Sequence, residues 1–175
     1  MRVIGLAGWS GAGKTTLLVR LIPELNRRGL EVSTLKHAHH EFDIDQPGKD
    51  SYRHRAAGAR EVLVVSANRL ALMREFRDEP EPRLAELLGM LAPVDLVIVE
   101  GFKRERHAKI EIRRRGLEKP ALYRDDADIV GMIGDYIDPA SRIPYAHIDD
   151  VAGAADLLIE HAEPIEVVLE KLGRG

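Results

Sequence analysis

Residues Gly8-Trp9-Ser10-Gly11-Ala12-Gly13-Lys14-Thr15 match the pattern G-x-x-x-x-G-K-[ST] at every fixed position. The flanking sequence supplies the context that pattern needs. Val3–Ala7 is a short apolar run that reads as a buried strand. Lys14–Arg28 follows with Leu17, Leu18, Leu21, Ile22 and Leu25 at helical spacing. Strand, glycine-rich loop and helix in that order make a cradle for a phosphate chain. Backbone N–H groups converge on the anion, and the helix N-terminus adds partial positive charge. Gly8, Trp9, Ser10, Gly11, Ala12 and Gly13 form the cradle, and Lys14 reaches the β- and γ-phosphates. The Thr15 hydroxyl is a Mg²⁺ ligand, and Thr16 is placed for the α-phosphate. Pro23 should kink or strain the helix, and Gly29 should stop it.

The remaining periodicity extends this unit into a domain. Glu31–Lys36, Glu61–Val65, Asp95–Val99 and Ile129–Ile133 read as strands. Lys49–Ala59, Pro82–Leu91, Val151–His161 and Ile165–Leu172 read as helices. Arg69–Phe76 should pair with Glu61–Val65 across a tight turn. Together with the alternating run Lys109–Arg113, it suggests antiparallel additions at one sheet edge. The expected fold class is α/β: a P-loop NTPase three-layer sandwich with a mostly parallel central sheet and antiparallel edge strands. The length fits one domain over residues 1–175.

Two further features bear on the chemistry of the loop. Val97-Ile98-Val99-Glu100-Gly101 ends a buried strand in a carboxylate, at the end where ligands bind in open α/β sheets. Glu100 is therefore the candidate acid for Mg²⁺, directly or through water. Asp95 opens the same strand, lies at the opposite end and reads as structural. Lys103 follows Glu100 closely and is either a phosphate or substrate contact or a solvated lysine. Trp9, the sole tryptophan, sits within the loop and should be partly exposed.

Lys36-His37-Ala38-His39-His40-Glu41-Phe42-Asp43-Ile44-Asp45 is a histidine-rich stretch after the second strand. It reads best as a loop over the nucleotide, with Asp43 or Asp45 near Mg²⁺ and imidazoles for phosphate contact. A zinc site and a solvated polar loop are the alternatives. Asp50 or Ser51 can cap the helix that follows Pro47-Gly48-Lys49.

Lys103–Arg115 carries seven Lys/Arg against Glu105 and Glu111. Its alternation within Lys109–Arg113 reads as a solvated edge guarded by cations, or as a docking patch for an acidic partner. The patch has no interleaved aromatics, which argues against nucleic acid. The net charge of −3 divides into +6 over residues 1–124 and −9 over residues 125–175, so the basic body suits a polyphosphate. The absence of cysteine excludes thiolate metal sites and disulfides and fits a cytoplasmic setting. No apolar run reaches the length of a membrane span, so no membrane partner is expected.

The segments GWSGAGKTTLL, LKHAHHEFDIDQPGKDSYRHRAAGA and DLVIVEGFKRE with KIEI resemble the MobB family of molybdopterin-guanine dinucleotide biosynthesis adaptor proteins. That resemblance covers most of residues 1–113. It implies a homodimeric P-loop protein that binds GTP with Mg²⁺ and is at most a weak GTPase. Such a protein assists attachment of GMP to molybdopterin, the transfer itself belonging to a MobA-like nucleotidyltransferase. It also implies that Gly8–Thr16 and Glu100 are the nucleotide and metal residues. Lys36, His37, His39, His40, Asp43, Asp45, Lys49, Asp50 and Lys103 would then belong to a substrate or partner loop, with molybdopterin a possible ligand.

Guanine-specific GTPases commonly carry [NT]-K-x-D after a late strand, and no such motif occurs here. Guanine selectivity thus follows from the resemblance alone. A P-loop small-molecule kinase would need an acceptor site and arginines over the phosphates, for which Arg104, Arg106 and Arg113–Arg115 are available. A metal-insertion GTPase would use the histidine loop, but such proteins generally present cysteine with histidine. Asp43, Asp45 and His37 are candidates for activating water, and none stands out.

Overall fold

A computed structural model of the protein describes residues 1–38 and 42–173. Chain contacts divide it into two compact units, Met1–His37 with Leu84–Gly175, and Ala38–Arg83. The length predicts one domain over residues 1–175.

The larger unit holds β1 (Arg2–Ala7), α1 (Lys14–Arg27), β2 (Val32–Lys36) and, in the smaller unit, α2 (Asp50–Ala56), β3 (Glu61–Val65) and β4 (Leu70–Arg74) intervene. The larger unit then resumes with α3 (Leu84–Gly89), β5 (Leu96–Glu100), β6 (Lys109–Arg113), β7 (Ile129–Gly134), β8 (Tyr145–His147), α4 (Val151–His161), β9 (Glu163–Pro164) and α5 (Ile165–Gly173). Its sheet runs β2-β5-β1-β6-β7-β8, all parallel, with β9 antiparallel to the start of β1.

Side-chain alternation along the strands builds a core on each face. Ile4, Leu6, Ile98, Ile110 and Ile112 pack with Leu17, Leu21 and Leu25 of α1 and Leu157 and Leu158 of α4. Val3, Val97 and Val99 point the other way, to Leu84 and Leu88 of α3 and Val168 of α5. This is the expected layering of helices on both faces of a mostly parallel sheet. Helix α1 runs through Pro23. Pro23 and Val19, whose carbonyl loses its helical donor, are both on the exposed face, where water can satisfy that carbonyl.

The placement of two runs corrects the sequence reading. Lys109–Arg113 is not an antiparallel edge strand. β6 is parallel and interior, between β1 and β7, and Lys109 and Glu111 are 1 % and 0 % exposed. The polar face of β6 is covered because its charges are paired. Lys109 Nζ lies 3.2 Å from Asp126 Oδ2 and donates to the Glu105 carbonyl at 2.9 Å. Glu111 accepts from the backbone N–H groups of Leu122 and Tyr123, each at 3.0 Å. Asp126, Leu122 and Tyr123 lie on the connection from β6 to β7, which has a short 3₁₀ turn at Leu122–Arg124 where a crossover helix is usual. Arg69–Phe76 does pair with Glu61–Val65, as β3 and β4, but these form a separate two-stranded sheet in the smaller unit. The sequence reading also passed over the short strands β8 and β9. Among the described residues no helix is long and apolar enough to cross a membrane.

Candidate functional site

Strand β1 delivers the chain into a loop whose glycines adopt backbone conformations that side chains disfavour. Gly8, Gly11 and Gly13 have φ of 146°, 81° and 90°. Gly13 is the N-cap of α1, and its left-handed φ turns the chain directly into the helix. No side chain caps that helix, and no acidic residue lies in its first turn. Its first backbone N–H groups are thus left for an anion. The Lys14 ammonium donates to the carbonyls of Gly8 at 3.0 Å and Trp9 at 3.2 Å, folded back over the loop. Burial lowers the pKa of Lys14; Glu100 opposes this, while Lys103 and Lys36 add to it. Thr15 and Thr16, in the first turn, are exposed, as is Ser10, while Ala12 is buried beneath the loop.

Trp9 is half-buried, as the sequence suggests. Its Nε1–H donates to the Pro120 carbonyl at 2.9 Å. The Lys103 and Lys119 ammonium groups lie over its ring, 5.1 and 5.9 Å from the ring centroid.

Glu100 ends β5, in register with Leu6 of β1 on one side and Lys36 of β2 on the other. Its side chain is 12 % exposed and lies 3.7 Å from Lys36 Nζ, too long for a hydrogen bond. That leaves carboxylate oxygens suited to a hard cation. His37 follows β2: its N–H donates to the Glu100 carbonyl at 2.8 Å, and its ring lies 4.8 Å from that of Phe102. The approach is close, since a Cβ on Gly101 would come within 2.7 Å of His37 Cβ. Lys36, His37, Glu100 and Lys103 therefore share the C-terminal sheet end with the Gly8–Thr15 loop. Asp95 is at the far end of β5 and accepts from Glu31 N–H at 2.8 Å, a structural role.

Other residues of the sequence reading lie in the smaller unit. Arg55 Nη2 donates to Asp43 at 2.8 Å, and Asp45 accepts from the Ser51 hydroxyl at 2.8 Å. Asp43 has a lowered pKa, first through the Asp45 N–H and then through Arg55. Asp45 Oδ2 and Arg55 Nε are buried, 3.7 Å apart, and lack a hydrogen-bond partner. Neither Asp50 nor Ser51 caps α2: the helix already starts at Asp50, so both lie in its first turn, and the N-cap is Lys49, without a side-chain cap bond; the Ser51 hydroxyl donates to Asp45. A cavity of about 370 Å³ in this unit is lined by Asp43, Tyr52, Arg55, Glu75 and Arg77. His39 and His40 lie outside the described residues. Among the described residues no group of three His, Cys, Asp or Glu could hold a metal ion.

Sequence reasoning missed Glu111 and Lys119 as neighbours of the loop. The signal for Glu111, a basic run with two interspersed acids, is indistinguishable from a solvated edge until the pairing partners are known, and Lys119 lies beyond that run.

The family model for MobB, molybdopterin guanine dinucleotide synthesis protein B, matches residues 3–135. The chain belongs to the MobB family. A MobB-family relative from Escherichia coli (strain K12), a molybdopterin-guanine dinucleotide biosynthesis adapter protein, is 42 % identical over 161 residues, covering 90 % of this chain and 91 % of the relative. A Haemophilus influenzae protein of the same description is 43 % identical over 121 residues, covering 67 % and 66 %. A crystal structure of molybdopterin-guanine biosynthesis protein B superposes with a TM-score of 0.70 at 25 % identity, covering 90 % of this chain and 98 % of that one. The crystal structure of Bacillus subtilis MobB gives 0.69 at 27 % identity, covering 93 % and 99 %. The MobB match includes the glycine-rich loop, Glu100 and the whole smaller unit.

Proposed function

We propose that this chain is an adapter in molybdopterin-guanine dinucleotide biosynthesis that binds GTP with Mg²⁺ and assists a MobA-like nucleotidyltransferase. Family membership supports the pathway. The observation that carries nucleotide binding is the uncapped N-terminus of α1 behind a loop with Gly8, Gly11 and Gly13 in glycine-favoured conformations. In this reading the N–H groups of Gly8–Thr16 hold the phosphates, and Lys14 swings from the Gly8 and Trp9 carbonyls to them. Thr15 and Glu100 hold the metal, whose charge offsets that of the triphosphate. The cations Lys36 and Lys103 add to a field that attracts a polyphosphate. The guanine preference rests on the family alone.

The adapter works as a homodimer in the cytoplasm. The dimer is supported by the β3–β4 hairpin: Leu63, Val65, Leu70 and Leu72 share one face and are all more than half exposed. An isolated two-stranded hairpin with such a face gains from being covered.

Trp9 makes the test direct, because it is the only tryptophan and sits in the loop. Titration with GTP and with ATP should change its fluorescence, with tighter binding for GTP, and Lys14→Ala should give a flat trace. A flat wild-type trace, confirmed by calorimetry, would remove the nucleotide reading. Equal affinities would remove only guanine selectivity. GMP transfer to molybdopterin by the nucleotidyltransferase, measured with and without this protein, tests the adapter role.

A further inference from the structure

The segment from Arg113 to Tyr123 lies along the glycine-rich loop and is anchored at several points. At its start, Arg113 Nε donates to the Tyr136 hydroxyl at 2.8 Å, and Arg115 N–H donates to Asp135 Oδ1 at 2.7 Å. At its end, the Pro120 carbonyl receives Trp9 Nε1–H at 2.9 Å, and the buried Glu111 carboxylate receives the N–H groups of Leu122 and Tyr123. The backbone on both sides of Arg114 is therefore held.

The Arg114 side chain itself is not spent on this anchoring. Among the described residues its guanidinium has no hydrogen-bond or ion-pair partner. It rests on Gly13: a Cβ placed there would lie 3.1 Å from Arg114 Nε and 3.3 Å from Nη2. Gly13 is the N-cap whose following N–H groups are left without a side-chain cap. A half-buried, unpaired guanidinium beside an uncapped helix N-terminus places two positive groups together. Guanidinium presents paired N–H donors in a fork that matches phosphate oxygens.

We propose that Arg114 contacts the phosphate chain of the nucleotide held by the Gly8–Thr15 loop. Glu111 is the positioning residue that holds the segment carrying it. This rests on the nucleotide reading above and adds to it an arginine outside the loop motif. Arg114 supplies, from the same chain, a phosphate contact that the eight-residue motif does not contain. Because it reads phosphate and not base, its contribution should be the same for a nucleotide and for a bare polyphosphate.

The test is calorimetric titration of wild type, Arg114→Ala and Arg114→Lys with GTP and with inorganic tripolyphosphate, Mg²⁺ present throughout. Loss of a charge-assisted phosphate contact should weaken Arg114→Ala by about 10- to 100-fold for both probes. Arg114→Lys should recover part of that loss. Unchanged thermal unfolding of both variants is expected, since the guanidinium makes no paired contact in the structure. Wild-type affinities in Arg114→Ala would overturn the inference and leave nucleotide binding intact. A loss confined to GTP would assign Arg114 to the base and overturn it as well. Wild-type protein that binds neither probe would remove the nucleotide reading and this inference with it.

Discussion

Trp9 and Pro120 are 111 positions apart, and the indole N–H of one donates to the carbonyl of the other at 2.9 Å. The glycine-rich loop is thereby tied to the β6–β7 connection, and that connection is in turn held by Glu111 inside the sheet. Glu111→Gln keeps the shape but replaces one acceptor oxygen with a donor facing a backbone N–H. It should destabilise the protein by about 1–3 kcal/mol, measured by urea unfolding. Trp9 emission should shift to the red as the connection loosens. A variant with unchanged stability and unchanged emission would show that Glu111 does not hold the segment.

Gly5 and His107 make a close approach. A Cβ at position 5 would sit 2.5 Å from His107 Nε2 and 2.7 Å from Lys109 Cγ. Gly5→Ala should therefore cost about 1–3 kcal/mol, the usual range for overpacking a core. Pairing it with His107→Ala should cost less than the sum of the two single changes, because the smaller side chain admits the methyl. Additive losses in a double-mutant cycle would rule out this contact as the cause.

His107 also sets a pH dependence. Burial, and next the Lys109 charge, push its pKa from 6.5 down to about 4, against weaker opposing effects of the Glu105 carbonyl, Asp126 and Glu163. The unfolded chain then binds a proton that the folded chain refuses between those values. Stability is unaffected above pH 6.5, falls as pH drops from 6.5 toward 4, and is flat below. The contribution is on the order of 3 kcal/mol over the full interval. His107→Asn should remove it, so wild type should lose about 2–3 kcal/mol more than the variant between pH 7 and pH 4.5. Parallel losses would place the titration elsewhere.

Glu100→Gln bears on the metal. Binding of GTP should become less dependent on Mg²⁺, while affinity in the presence of EDTA stays near that of wild type. Retention of the full Mg²⁺ effect would sink the assignment of Glu100 as the metal acid.

The hairpin can be tested by charge. Leu72→Lys places an ammonium in the face shared with Leu63, Val65 and Leu70. Light scattering should report a monomer in place of a dimer, with the far-ultraviolet dichroism retained. A dimer that persists would locate its interface elsewhere.

The loop, its flanking strand and helix, and Glu100 at a strand end were all legible in the residues, because each depends on local pattern. Gly8–Thr15 is a contiguous motif, and Val97–Val99 is apolar whichever face is covered. The strand Lys109–Arg113 was misread for the opposite reason. Its alternation describes which side chains share a face, and says nothing of what covers that face. Lys109 and Glu111 are buried only because Asp126, Leu122 and Tyr123 return from later in the chain to pair with them. The cap expected at Asp50 or Ser51 is displaced for a local reason: α2 starts at Asp50, which puts Lys49 at the N-cap and both expected residues inside the first turn.

By itself the sequence determined the parallel α/β sandwich, the anion-ready loop and the family, because these follow from short-range spacing and from resemblance. Tertiary structure alone decided that β6 is interior, that Trp9 is bound to Pro120, and that Arg114 rests on Gly13. The last two are relations between residues roughly a hundred positions apart. They are set by packing and by the pairing of buried charge, which no local pattern encodes.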